Sequence, residues 1–301
     1  MEELDWTGER LVTSLTSVHG TIEHLHRYAL ALELSKDRRV LDIACGEGYG
    51  SNLLSGIAKT VIGVDISNET IEHASLKYKR DNLSFIVGST SSIPLEDSSI
   101  DIVVSFETIE HHDEHHKMME EIRRVMKPEG VLIISSPEKS IYKSRDPDNP
   151  YHIKELSLLE FRELLKGYFS NVKIFDQRFV FGSLINETSS YGRFDFFDGD
   201  FNGITDRVEC DNFYNRPFFN LAIVSNSIIP EITSASIFNG LKVLQHDRAD
   251  FENIIKQKNS YIYSLENSIK ALKKSYSYSL GNIILKPISF IKKIILNNKI
   301  K

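Results

Sequence analysis

The chain has 301 residues, 41% of them hydrophobic and 26% charged, with a net charge of −6, which leaves room for one catalytic domain of about 200 to 250 residues and an appendage. This composition excludes wholesale disorder, collagen and a small disulfide scaffold, and its two cysteines, Cys45 and Cys210, cannot build a disulfide framework or a multi-cysteine zinc site. Eight lysines and no acid follow Glu266, so the body up to that residue carries −14 and the tail is basic.

Met1 to Arg10 holds four acids and no apolar run, unlike a signal peptide, and no stretch reaches the roughly 18 apolar residues of a membrane-spanning helix. A reducing, cytoplasmic location is the expectation. From about residue 20 to 180, β-rich runs alternate with amphipathic ones, the mark of βαβ units around a parallel sheet. Strands are expected at 40–44, 60–66, 83–88, 100–106, 130–136 and 172–175, with helices at 24–34, 49–54, 68–80, 114–126 and 157–168. Residues 182–217, rich in Gly, Asp, Asn and aromatics, interrupt this rhythm before a last strand at 218–225 and read as a substrate-side insertion or a plain surface loop.

From Leu241 the apolar residues fall at alternating spacings of three and four: Leu241, Leu244, Phe251, Ile255, Ile262, Leu265, Ile269, Leu272 and Tyr276, with Arg248 and Lys258 interrupting the seam. Such a narrow stripe predicts a coiled coil over 241–279 and homo-oligomerisation through it. Residues 280–301 interleave Ile, Leu and Phe with five lysines, which suits peripheral contact with an anionic membrane surface or a solvated tail.

The strongest motif is Val40-Leu41-Asp42-Ile43-Ala44-Cys45-Gly46-Glu47-Gly48-Tyr49-Gly50, a strand entering a glycine-rich turn that opens a helix. Gly46 and Gly48 let a ligand lie over the strand end. Asp65 closes the second strand, 23 residues after Asp42, where a carboxylate can accept from both hydroxyls of a ribose. Nicotinamide and S-adenosylmethionine proteins share that acid, but Asp42 before the turn favours a cationic amino acid moiety over a pyrophosphate.

With these residues the sequence resembles the class I S-adenosylmethionine-dependent methyltransferases over residues 35–230. The blocks Val40 to Gly50, Val61 to Ile66, Phe85 to Pro94 with Asp101 to Phe106, and Arg123 to Ile134 carry the resemblance. It implies an α/β, Rossmann-like seven-stranded methyltransferase sheet with an insertion before the last strand, preceded by a helical cap at 1–34 and followed by the C-terminal coiled-coil helix. Asp42, Ala44, Gly46 and Gly48 would frame the methionine part of S-adenosylmethionine, Asp65 its ribose, and Ile66, Ser89, Thr90 and Phe106 its adenine and surroundings. Ser89 stands where the family often has an acid. Segments Gly8 to Arg10, Glu23 to Tyr28 and Asn149 to Leu156 are similar to those of methyltransferases of bacterial surface-polysaccharide (O-antigen or capsule) biosynthesis.

After the fourth strand the chain reads Glu107-Thr108-Ile109-Glu110-His111-His112-Asp113-Glu114-His115-His116. A helical turn would put Glu107, Glu110 and His111 on one face, a set able to hold Mg²⁺ or Mn²⁺ beside substrate oxygens. The pattern is similar to that of metal-dependent O-methyltransferases acting on small-RNA 3′ ends and quinone-precursor catechols, which implies a further histidine, here His152. Alternatively His111 or His112 is a general base oriented by Glu110, or the acids merely complement a helix dipole. His115 and His116 are expected in solvent, Arg124 and Lys127 as exposed charges, and Tyr28 and Arg10 over the cofactor or simply packed.

These readings converge on O-methylation of a sugar hydroxyl in a surface glycan or its lipid-linked precursor, at or near the inner membrane surface. Alternatives are a terminal sugar phosphate, an RNA 3′ end, or a non-catalytic cofactor-binding scaffold that recruits partners through its coiled coil. The acidic body argues against a nucleic acid partner.

Overall fold

The computed structural model describes residues 18–145, 149–180, 199–200, 203–204, 218–232, 236–275 and 280–281. Valine- and isoleucine-rich runs form β1 (Arg39–Ile43), β2 (Thr60–Asp65), β3 (Leu83–Val87), β4 (Ile100–Ser105) and β5 (Met126–Pro137), all parallel. The central strands are buried on both faces, which is why they read as apolar runs rather than alternating ones. Two further strands, β6 (Asn171–Gln177) and β9 (Phe219–Ser225), complete a seven-stranded sheet in the order β3-β2-β1-β4-β5-β9-β6. This is the Rossmann-like methyltransferase architecture that the sequence implies, with one correction to a purely parallel sheet: β9 runs antiparallel to both of its neighbours.

Helices cover both faces. On one, α4 (His115–Val125) and α6 (Leu158–Lys166) pack Met118, Ile122, Phe161 and Leu165 onto Leu41, Val103, Leu132 and Ile134. On the other, Tyr28 and Ala31 of α1 (Val18–Ser35) and Leu54 of α2 (Tyr49–Leu54) pack onto Val40, Val104, Ile133 and Ile223. Between β2 and β3 lies α3 (Asn68–Lys77), capped by the Ser67 hydroxyl, which accepts from the Thr70 N–H. A full capping box of Ser157 and Glu160 starts α6. One helix that periodicity misses, α5 (Lys139–Arg145), follows β5 directly.

Gln177 and Phe219 are register partners, so the chain between them leaves and rejoins the sheet at the C-terminal edge of the parallel strands. Within that stretch the structure describes β7 (Gly199–Asp200) paired with β8 (Gly203–Ile204); the rest of the expected insertion lies outside the described residues. Residues 240–301 form a second unit, described by itself, whose main element is α7 (Leu241–Lys274). The basic segment 280–301 lies outside the described residues except for 280–281. No described helix is long and apolar enough to cross a membrane.

Arg124 is not the plain exposed charge that its helical position suggests. Its guanidinium bonds Glu121, Asp97 and the carbonyls of Leu95 and Ile93, tying α4 to the loop before β4. Lys127 likewise pairs with Asp101 at 2.7 Å.

The docking of α1 depends on a missing side chain. A Cβ on Gly50 would sit 1.9 Å from Tyr28 Cζ, so Gly50→Ala must displace the α1 ring at a cost of roughly 2 kcal/mol or more. The expected result is a lower melting temperature and faster proteolysis within α1. An unchanged melting temperature would show that Tyr28 moves aside without penalty.

Candidate active site

The turn after β1 is built from left-handed residues: Ala44 at φ 61°, Gly46 at 52° and Gly48 at 87°. Gly48 is required twice over, because a Cβ there would also meet Phe85 at 2.8 Å and Ala74 at 2.9 Å. Asp65 clamps this turn. Its Oδ2 accepts from the Gly46 N–H at 2.9 Å and its Oδ1 from the Ser67 N–H at 3.0 Å, and Ile66 beside it is 77% exposed, an apolar platform at the strand end.

Asp42 lies beneath, 1% exposed. It accepts from Ser51 Oγ at 2.7 Å and from the Tyr28 hydroxyl at 3.3 Å to each oxygen. Burial pushes its carboxyl up to about 6, against the pull of the two hydroxyl bonds. Phe106 stands edge-on to Tyr28 at 5.0 Å, so the expected aromatic residue walls this same spot. At the β3 end, Ser89 Oγ lies 3.1 Å from Ser91 Oγ, and Thr90 Oγ1 lies 3.4 Å from His112 Nε2.

That contact places the His112 ring at the β3 end. Its ring stands against Thr90 on the adenine side expected for a cofactor, and burial lowers its pKa below the usual imidazole range. His115 is buried, not solvated, with Nε2 bonded to the His112 carbonyl at 2.7 Å, and His116 meets the Tyr168 hydroxyl at 3.0 Å. His115 departs from expectation because α4 packs it inward, whereas His116 is exposed as expected.

The residues after β4 do not form the helical turn that would align Glu107, Glu110 and His111. Glu107 takes φ +50°, and only Ile109–His111 are helical, as a 3-10 turn. The metal-ligand expectation for Glu107 is therefore corrected. Its carboxylate accepts from Ser135 Oγ at 2.5 Å and lies 3.6 Å from Arg27 Nη1, on the α1 face of the sheet. Arg27 is itself buried, donating to Gln177 Oε1 at 2.8 Å with its guanidinium 4.8 Å from the Phe219 ring.

Glu110, His111 and His152 do converge, with ligand atoms all within 4.8 Å of one another. The Ile153 and Lys154 N–H groups donate to the Glu110 carbonyl at 2.9 and 3.0 Å, which holds the Asn-Pro-Tyr-His segment over the 3-10 turn. His111 Nδ1 lies 3.0 Å from the Tyr151 carbonyl and His152 Nδ1 lies 2.8 Å from Glu155 Oε1. Both acceptors assign the proton to Nδ1, and His111 Nε2 lies 4.0 Å from Glu110 Oε1; a second-layer acceptor on one ring nitrogen is the arrangement that metal-binding histidines use. The set fits a divalent ion, and the glycine turn with Asp42 and Asp65 fits S-adenosylmethionine. Sequence reasoning missed Ser51, Ser135, Gln177 and Glu155; only Glu155, three residues after His152, carried a local signal.

A parallel sheet with a glycine turn after β1 and an acid ending β2 defines a Rossmann-like protein with its ligand edge at the strand ends. Residues 41–134 match the family model described as a methyltransferase domain. A Mycolicibacterium smegmatis protein named for S-adenosylmethionine-dependent methyl transfer is 36% identical over 166 residues, 54% of this chain and 64% of that protein. A Mycobacterium tuberculosis protein of the same description is 33% identical over 54% of this chain and 60% of its own length. The chain thus covers less than two thirds of either relative. A Caenorhabditis elegans protein named sterol 4-C-methyltransferase is 30% identical over 51% of this chain and 45% of its own length. Among solved structures, a methyltransferase in complex with the Haloferax volcanii Trm112 activator shares the fold, with a TM-score of 0.52 and 22% identity over 68% of this chain and 89% of that one.

Asp42 gives a test with a defined sign. Its folded-state value of about 6 lies above the 3.8 of an ordinary aspartate, so the stability linked to its proton is fully present below pH 3.8 and lost as pH rises through 6. Asp42→Asn should therefore raise the melting temperature of the ligand-free protein at pH 7, by the equivalent of roughly 1–3 kcal/mol, and remove the pH dependence of S-adenosylmethionine binding. In the parent, calorimetric affinity should fall as pH drops below about 6.

Proposed function

We propose that this protein is an S-adenosylmethionine-dependent O-methyltransferase whose acceptor is a sugar hydroxyl of a surface glycan or its lipid-linked precursor, with Mg²⁺ or Mn²⁺ held by Glu110, His111 and His152. The observation that carries the reading is the convergence of those three side chains from two loops, their ligand atoms all within 4.8 Å of one another. The glycan part rests on the resemblance of residues 8–10, 23–28 and 149–156, the last of which supplies His152.

S-adenosylmethionine supplies an electrophilic methyl group on a sulfonium, and a divalent ion lowers the pKa of a hydroxyl that it binds. The chain's own residues do the positioning, which is the larger part of the task in an in-line displacement. Asp42 offers a buried negative charge to the cofactor's amino group, and Asp65 keeps lone pairs for ribose hydroxyls while it clamps the turn. Phe106 and Tyr28 exclude water beside Asp42. Glu110, His111 and His152 gather at the end of β4, where vicinal acceptor oxygens can meet them. Without an ion, His111 Nε2, 4.0 Å from Glu110 Oε1, would take the acceptor proton as general base.

Calorimetry on metal-stripped protein separates these routes. S-adenosylmethionine should bind, a following Mn²⁺ titration should give a saturable signal, and Glu110→Ala should abolish the Mn²⁺ signal while leaving cofactor affinity within about threefold. Cofactor binding with no Mn²⁺ signal, with and without a vicinal diol such as mannose present, would leave the His111 base as the working mechanism. Absence of cofactor binding would overturn the enzyme reading.

A further inference from the structure

The longest described element, α7, supplies none of the site residues named above. Over its 34 residues α7 extends about 51 Å, and its apolar stripe is uncovered: Phe251 is 63% exposed, Ile262 52% and Leu272 64%. With Leu241 at position a, the a positions are Leu241, Arg248, Ile255, Ile262 and Ile269, and the d positions are Leu244, Phe251, Lys258, Leu265 and Leu272. Five heptads in one frame are a seam built for another helix with the same repeat.

We propose that the occupant is a second copy of this helix, running antiparallel, with the two-fold axis between residues 256 and 257. The charges select the direction. A parallel, in-register pair would set Arg248 against Arg248, Lys258 against Lys258, and Asp247 at g against Glu252 at e, three like-charge layers. It would also bring the lysine-rich ends, Lys270, Lys273 and Lys274, side by side. The antiparallel pair separates the two Arg248 residues, the Asp247 and Glu252 pairs and the lysine-rich ends, and moves the two Lys258 residues from one shared layer into the two layers flanking the axis. Each a residue then meets a d residue of the second copy: Leu241 with Leu272, Leu244 with Ile269, Arg248 with Leu265, Phe251 with Ile262, and Ile255 with Lys258. All ten seam positions are matched, as an isologous interface requires.

Flanking positions agree. In antiparallel coiled coils e faces e and g faces g, which puts Glu266 of the second copy level with Arg248 on the e side, twice by symmetry. On the g side Ile254 meets Tyr261; both are exposed in the single chain, at 49% and 65%, and would be covered together. Lys258 is the one seam charge without an acid in reach, and its stem can lie along Ile255 with the ammonium in water.

Disulfide trapping in the full chain tests direction as well as association. In a Cys210→Ser background, with Cys45 buried and protected, Leu244→Cys and Ile269→Cys chains are expressed singly and together and oxidised. The expected result is a covalent dimer only on co-expression, formed between the two different chains. Ile269→Cys alone should stay monomeric on a denaturing gel, since two copies of that position lie about 37 Å apart along the antiparallel pair. Self-linking of either single variant would overturn the antiparallel assignment. Sedimentation of the parent chain at tens of micromolar should give twice the 34.4 kDa chain mass, and Ile262→Glu should return it to monomer with S-adenosylmethionine binding retained. A monomeric parent would overturn the proposal entirely.

Discussion

The buried carboxylate of Asp42 holds together the parts on which the site depends. It lies one residue before the end of β1, accepts from the Ser51 hydroxyl of α2 and the Tyr28 hydroxyl of α1, and so gathers three elements with one side chain. Both donors are neutral. A carboxylate at 1% exposure with no cation against it is a costly arrangement near neutral pH, and the cost shows in a pKa of about 6. A purely structural position would be better served by asparagine. A site that receives a cationic amine has use for an unneutralised charge already fixed in place.

The C-terminal edge of the sheet is divided between its two faces by a single left-handed residue. Phe106 still follows the alternation of β4, facing the α1 side with Val104 and Ile102, and Glu107 at φ +50° keeps its carboxylate on that side with Ser135 and Arg27. The 3-10 turn then carries Ile109 into the opposite core with Leu156 and Phe161. Glu110 and His111 therefore meet the 149–156 segment rather than Glu107. Two carboxylates three residues apart serve different neighbourhoods, one beside the buried guanidinium and one beside the imidazole pair.

Most of the sheet was legible because parallel strands are apolar throughout and the turn after β1 has few alternatives to glycine. Six of the seven strands lie within about two residues of their sequence-based limits, and β5 starts four residues earlier than expected, at Met126. The antiparallel insertion of β9 was not legible, since its pairing with β5 and β6 is set by contacts across more than 40 residues. At the site, Asp42, Gly46, Gly48 and Asp65 could be read because turn geometry is local. Glu107 could not: grouping it with Glu110 assumed a helical period that one positive φ breaks. His152 was reachable only through the resemblance, and Ser135 and Gln177 act through strand register that no local pattern reveals.

Arg27 shows how the two neighbourhoods are coupled through one helical turn. It is adjacent to Tyr28 on α1, yet it reaches in a different direction, to Gln177 on β6, Glu107 after β4 and the Phe219 ring on β9. Among the described residues its Nε and Nη2 are buried without hydrogen-bond partners, so a guanidinium here is a poor choice for stability alone. What it does supply is fixed geometry: Nη1 holds Gln177 and faces Glu107, while the planar guanidinium lies 4.8 Å from the Phe219 ring. Tyr28 fixes Asp42 on the cofactor side and Arg27 fixes Glu107 at the end of β4, so a displacement of α1 moves both carboxylates at once. The docking of that helix against Gly50 is thus a requirement of the site's chemistry as much as of the fold.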